Sequence, residues 1–152
     1  MLLMMLLQGS LFLGYFIEIM MAFILAACSN PHSHVADHFQ AEALACLVAV
    51  TFAKDLDFTR VIIEGDSLTI IKKRASEAID VSLVSPTVAD IKEVAKVFQD
   101  AGFNFVHREA NVAAHTLAQE GKMYNGPMYW IEEAPPRSTF AAEKDREQLV
   151  HV

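Results

Sequence analysis

Three short contexts hold the residues of this 152-residue chain whose types and spacing suit chemistry. Glu42 sits in Gln40-Ala41-Glu42-Ala43-Leu44-Ala45, in the first turn of an apolar helical run. Asp66 closes the segment Val61-Ile62-Ile63-Glu64-Gly65-Asp66-Ser67. The third context is Arg108-Glu109-Ala110-Asn111-Val112-Ala113-Ala114-His115. A carboxylate just past an apolar strand stands where ligand sites of open α/β sheets gather. A second carboxylate on a neighbouring helix can share with it a hard cation such as Mg²⁺, which takes oxygen ligands and keeps several waters. Glu64, two residues before Asp66, points to the same side of the strand and is a further acidic candidate. His115 adds an imidazole, whose unperturbed pKa of about 6.5 suits a proton shuttle near neutral pH. Taken alone, acids at element ends serve equally well as caps or solvated charges, and His115 as a hydrogen-bonding residue on a helix face.

The basic residues suggest a second chemistry. Lys72-Lys73-Arg74 follows Asp66 on the next helix, and Arg108 and Asn111 flank the last one. Such side chains meet backbone phosphates and give affinity without reading sequence. A solvated face competes with that reading for the lysines, as does pairing with Glu109 or a helix cap for Arg108. His32, His34, His38 and Asp37 crowd a polar loop, read as solvated rather than as a metal cluster. The net charge of −7 argues against a free-standing, high-affinity nucleic-acid binder, which is normally basic, and leaves room for a local basic handle. Cys28 and Cys46 lack CxxC or Cys/His spacing. They read as reduced thiols of an intracellular protein of nucleus or cytoplasm, with no zinc site.

These residues need elements to position them. The hydrophobic content of 53% is concentrated in residues 1–30, where Glu18 is the one charge. Leu11 to Cys28 approaches the roughly 18 apolar residues that span a bilayer. Gly14 and Glu18 interrupt it, and no basic residue leads it as in a secretory signal. Leu25-Ala26-Ala27-Cys28 is similar to a lipoprotein cleavage box but lacks the same lead. Two buried strands are therefore favoured over membrane contact through residues 11–28: Leu11 to Ile19 and Met21 to Cys28, divided near Glu18. A polar loop precedes a helix over roughly His38 to Leu56, with Leu44, Val48 and Phe52 as its inward stripe. A strand follows at Arg60 to Glu64, then a helix capped by Ser67. Ser85-Pro86 starts another helix, with Val88, Ile91 and Phe98 inward and Gly102 as its C-terminal cap. Phe103 to His107 alternates as a strand, and Asn111 to Lys122 is a helix with Ala114, Leu117 and Ala118 inward. Residues 125–152, with Pro127, Pro135 and Pro136, read as a tail anchored by Trp130 and Ile131. The expectation is an α/β fold with a core over 31–124 and a mixed central sheet, its N-terminal strands antiparallel and its helices flanking.

The three motifs, in this order, resemble the RNase H-like superfamily, above all its reverse-transcriptase-like, plant-type RNase H domains. Tyr129-Trp130-Ile131-Glu132-Glu133-Ala134-Pro135 is similar to that family's C-terminal segment, so the resemblance runs from Gly14 to Pro136. It implies a monomer that hydrolyses the RNA strand of an RNA–DNA hybrid, with no small-molecule cofactor. Two Mg²⁺ (or Mn²⁺) ions about 3.5–4 Å apart would activate the water and stabilise the leaving oxygen. Carried over by motif, Glu42 takes the place of the helix glutamate and Asp66 that of the strand-end aspartate, with His115 assisting. Lys72, Lys73, Arg74, Arg108 and Asn111 would meet the nucleic acid. The chain departs from the family twice. The pattern Asn-x-x-Ala-Asp-x-Leu-Ala reads here Asn111-Val112-Ala113-Ala114-His115-Thr116-Leu117-Ala118, so His115 replaces the aspartate. The first-strand aspartate has no counterpart, since none occurs before Asp37; a start inside a truncated first strand would produce such an apolar opening. Two acids remain of four, and imidazole suits Zn²⁺, Mn²⁺ or Fe better than Mg²⁺. The expectation is a hybrid ribonuclease domain with impaired hydrolysis. The alternative is an inactive scaffold that binds nucleic acid or protein.

Overall fold

Apolar runs too continuous for one-faced strands lie here in a sheet covered on both sides. The computed structural model describes residues 2–7, 12–19, 23–31, 38–65 and 85–150. Its strands are β1 (Leu2–Leu7), β2 (Phe12–Ile19), β3 (Phe23–Pro31), β4 (Arg60–Gly65), β5 (Asp100–Phe105) and β6 (Met128–Ile131). They form one sheet in the order β5-β4-β1-β2-β3-β6. β1, β2, β3 and β6 pair antiparallel in that sequence, while β1 with β4 and β4 with β5 pair parallel. The sheet is mixed, as expected. The apolar start supplies three strands, of which β1 is central between β2 and β4. Glu18 stands near the division between the two expected strands, β2 ending at Ile19 and β3 starting at Phe23. It lies inside β2, at a register irregularity between Ile17 and Glu18, and β2 continues to Ile19.

The helices are α1 (His38–Asp55), α2 (Ser85–Ala95), α3 (Val112–Gly121) and α4 (Pro136–Val150). On one face of the sheet, Ala43, Cys46, Ala49, Val50 and Ala53 of α1 and Val88 and Ile91 of α2 pack with Ala26, Cys28, Val61 and Ile63. On the other, Ala113, Ala114, Leu117 and Ala118 of α3 and Ala141 and Ala142 of α4 pack with Ala27. Ala26, Ala27 and Cys28 thus alternate between two dry layers, which is why this strand reads as a continuous apolar run. Among the described residues, no helix is long and apolar enough to cross a membrane.

The inward stripe of α1 differs from the expected one. Leu44, Val48 and Phe52 are only half-buried, while Glu42, Cys46, Ala49 and Ala53 are buried. These positions repeat at helical spacing, and apart from Glu42 they are small. Small side chains let a helix axis approach the sheet, and the bulkier residues flank the contact. α1 ends in a Schellman motif: the Asp57 N–H donates to the Lys54 carbonyl (2.9 Å) and the Phe58 N–H to the Ala53 carbonyl (3.2 Å). Asp57 takes the left-handed conformation this needs, with φ 58°, and aspartate is one of the residues that tolerates it. The motif turns the chain straight into β4.

Two further boundaries depart from the expectation. Gly102 does not cap α2, which ends at Ala95; it lies within β5, opposite Ile62. Pairing with β4 draws Asp100 and Ala101 into the ladder beside Arg60 and Val61, so the strand starts three residues early. Residues 125–150 form more than a tail anchored by Trp130 and Ile131. Met128 to Ile131 pairs with Ser29 to Ala26, and α4 packs against α3. Trp130 joins that cluster, whereas Ile131 is exposed.

Candidate functional site

The parallel strands β1, β4 and β5 end at one edge of the sheet. α1 runs back from this edge to the start of β4, so its N-terminal part, with Glu42, lies near the edge. The helix begins at His38, which puts Glu42 one turn in rather than in the first turn. Glu42 is 8% exposed and belongs to the stripe that faces the sheet. β4 ends at Gly65, so Asp66 is the next residue in the chain; it lies outside the described residues, as do Lys72, Lys73 and Arg74. His32, His34 and Asp37 lie outside them as well.

The end of β4 is tied to the Arg108 segment. The Val106 N–H donates to the Gly65 carbonyl (2.9 Å), continuing the β4–β5 ladder past its last pair. The chain then passes exposed His107 into a single 3₁₀ turn, Arg108–Ala110, and α3 starts at Val112. Arg108 therefore stands close to the β4 end, and His115 one turn into α3. The Arg108 Nη2 lies 3.5 Å from His115 Nδ1, so the guanidinium turns to His115 rather than to the neighbouring Glu109. Asn111 is fully buried at 0% exposure, which takes its side chain out of reach of a phosphate. It sits at the junction of the 3₁₀ turn and α3, where its backbone carbonyl accepts from the His115 N–H (3.3 Å).

On β1, the register pairs Leu6 with Gly65. The strand reads Leu-Leu-Met-Met-Leu-Leu and carries no acid. Among the described residues, no group of three or more His, Cys, Asp or Glu gathers at metal-binding spacing.

Among the described residues, Glu64 and Asp145 have carboxyls whose pKa the fold raises. Glu64 lies on the strand face opposite Val61 and Ile63; burial raises its pKa, partly offset by a hydrogen bond from the Asn104 side chain. Asp145, on α4, is 3% exposed and accepts the Ala113 N–H at 2.8 Å. Burial raises its pKa, partly offset by the Ala113 and Val112 N–H groups. Asp145 thus caps α3 from another helix, and Asn111 makes no side-chain cap there. Nothing local marks Asp145 in the sequence, because it lies in the charged run Glu143 to Glu147.

Raised carboxyl pKa values mean that the folded state holds protons the unfolded chain releases. Their stabilising contribution is complete below the unfolded range, about pH 4, and is lost as pH rises through the folded values. Asp145→Asn keeps an acceptor for the helix start and removes the titration. Urea unfolding between pH 4 and 7 is expected to show a shallower fall in stability for Asp145→Asn than for the wild type. Equal slopes would mean that Asp145 does not contribute.

Comparison with known proteins agrees with this arrangement. The reverse transcriptase-like family matches residues 21–121. The chain belongs to the reverse transcriptase-like family. No curated protein matches its sequence closely. Among solved structures, RNase H1 from the halophilic archaeon Halobacterium salinarum is 21% identical, with a TM-score of 0.72, covering 80% of this chain and 97% of that one. The N-terminal RNase H domain of a Mycobacterium tuberculosis protein is 16% identical, with a TM-score of 0.66 over 80% and 94%. LC11-RNase H1, solved in complex with an RNA/DNA hybrid, is 15% identical, with a TM-score of 0.69 over 79% and 95%. At these identities the likeness is one of fold. This reverse transcriptase-like chain has the RNase H α/β fold.

Proposed function

We propose that this protein binds nucleic acid, with an RNA–DNA hybrid as its ligand, and hydrolyses the hybrid slowly or not at all. The observation that carries this reading is the Arg108–His115 pair. It stands where the family resemblance implies a carboxylate. A guanidinium is always charged and only donates, so a divalent cation beside His115 would meet a fixed positive charge. With no acid on β1, the residues present do not fit a pair of Mg²⁺ ions. Glu42 and Asp66 are left as the acids of the edge.

The same replacements make the edge less hostile to a polyanion. Two carboxylates of the family pattern are gone, and one position now carries a hydrogen-bond donor. Arg108, with Lys72, Lys73 and Arg74 on the following segment, supplies positive charge to meet a backbone, against an overall charge of −7. Affinity of this kind comes from phosphate contacts and weakens with salt. LC11-RNase H1 in its hybrid complex shares the fold, which is consistent with this choice of ligand.

The test is fluorescence anisotropy with a labelled RNA–DNA hybrid, in EDTA and at low salt. Saturable binding that weakens as salt rises is expected. No binding under these conditions would sink the nucleic-acid reading and favour the alternative of a scaffold for proteins.

A further inference from the structure

The apolar row on one face of β5 runs out past the core. Ala101 and Phe103 pack against the cluster beneath α1 and α2. Phe105 is two residues on and projects to the same face, yet it is 37% exposed and stands outside that cluster. β5 is an outermost strand of the described sheet, so no strand flanks Phe105 further out. Its partner on β4 is Gly65, which has no side chain to lay against the ring. His107 keeps an extended backbone, with φ −67° and ψ 148°, so its side chain returns to the same face. The two rings meet edge to face, with centroids 5.2 Å apart and planes at 77°, a favourable geometry for an aromatic pair. A single exposed apolar side chain needs no explanation. Two exposed rings that hold each other at the end of a ladder, beside a cation, are a more specific arrangement.

The surroundings select the occupant. Asn104, Arg108 and Glu109 are all exposed, so the rings have a polar rim. The apolar area is that of two rings, far below the roughly 800 Å² that each partner of a standard protein interface covers. It matches a single planar ring. Nucleobases stack on Phe and His with little regard to sequence, and Arg108 supplies positive charge to the adjoining phosphate. Glu109 offsets that charge, so the ring faces rather than net charge must supply the affinity. Bases inside a duplex already stack on one another, which leaves a base outside the paired region as the one that can use the rings.

We infer that Phe105 and His107 form a stacking platform for one unpaired nucleobase at an end of the bound hybrid. This rests on the nucleic-acid reading above and names a part of the ligand that the protein distinguishes. The Val106 N–H, bonded to the Gly65 carbonyl, fixes the backbone between the two rings to the end of β4.

The test is fluorescence anisotropy of the full chain in EDTA with two kinds of tailed hybrid. One carries a tail of unpaired adenines, the other a tail of abasic units with the same charge, placed at the 5′ or the 3′ end in separate probes. The wild type is expected to bind an adenine-tailed hybrid about tenfold more tightly than its abasic counterpart. Phe105→Leu keeps apolar bulk without an aromatic face and is expected to bring that ratio close to one. Phe105→Trp is expected to keep the ratio, and His107→Ala to lower it in part. A ratio of one in the wild type at both ends, or a ratio that Phe105→Leu leaves unchanged, overturns the platform while hybrid binding leaves the nucleic-acid reading standing. No binding to any hybrid overturns both. Sedimentation of the chain without nucleic acid covers the remaining occupant: self-association that Phe105→Leu abolishes assigns the rings to a second copy of the chain and overturns the platform.

Discussion

The RNA strand of an RNA–DNA hybrid is expected to survive prolonged incubation with this protein in Mg²⁺. Two ions in a complete site activate a water and stabilise the leaving oxygen, a contribution of several kcal/mol. Losing it slows cleavage by about 10³-fold or more. The expectation follows from two positions. β1, Leu2–Leu7, contains no acid, and the Arg108 Nη2 lies 3.5 Å from His115 Nδ1. The measurement is a gel assay with end-labelled RNA, comparing wild type with Asp66→Asn. Both are expected to leave the RNA intact. Cleavage at an ordinary enzymatic rate that Asp66→Asn abolishes would refute the reading. His115→Asp by itself is not expected to bring activity back, because β1 would still lack its acid.

Shortening the chain to end at Ala134 is expected to lower the thermal midpoint by on the order of 10 °C or more. Three losses add. The Ala113 N–H at the start of α3 would lose its acceptor, Asp145, at about 1–3 kcal/mol. Buried Glu120 would lose the hydroxyl of Ser138 that donates to it. Ala113, Ala114, Leu117 and Ala118 would lose the cover of Ala141 and Ala142. Against a typical domain stability of about 5–15 kcal/mol, this is a large fraction. Calorimetry of the two chains checks it, and an unchanged midpoint would mean that α4 is dispensable.

The element order is legible along most of the chain because it rests on local chemistry. Ser85-Pro86 marks the start of α2, and the inward residues Ala114, Leu117 and Ala118 of α3 follow from their spacing. The misplaced features share one cause. The inward face of α1 is set by which residues are small enough for close approach to the sheet, and a helix apolar on several sides gives no periodic clue to that. Gly102 resembles a cap because a glycine after a helical run usually is one; pairing with β4 makes it a strand residue. The segment after Asn125 reads as loose because its prolines and charges hide four residues that complete an edge of the sheet.

The candidate site divides in the same way. Motifs in the sequence are enough to name Glu42, Asp66, Arg108 and His115 as candidates, because the identity of a residue needs no coordinates. What only the tertiary structure decided is how these residues meet. Parallel pairing brings the ends of β1, β4 and β5 to one edge; the 3₁₀ turn sets Arg108 against His115; and Asp145, thirty-two residues beyond Ala113, caps the helix between them. Each depends on contacts between segments far apart in the chain, which local propensity does not encode and packing does.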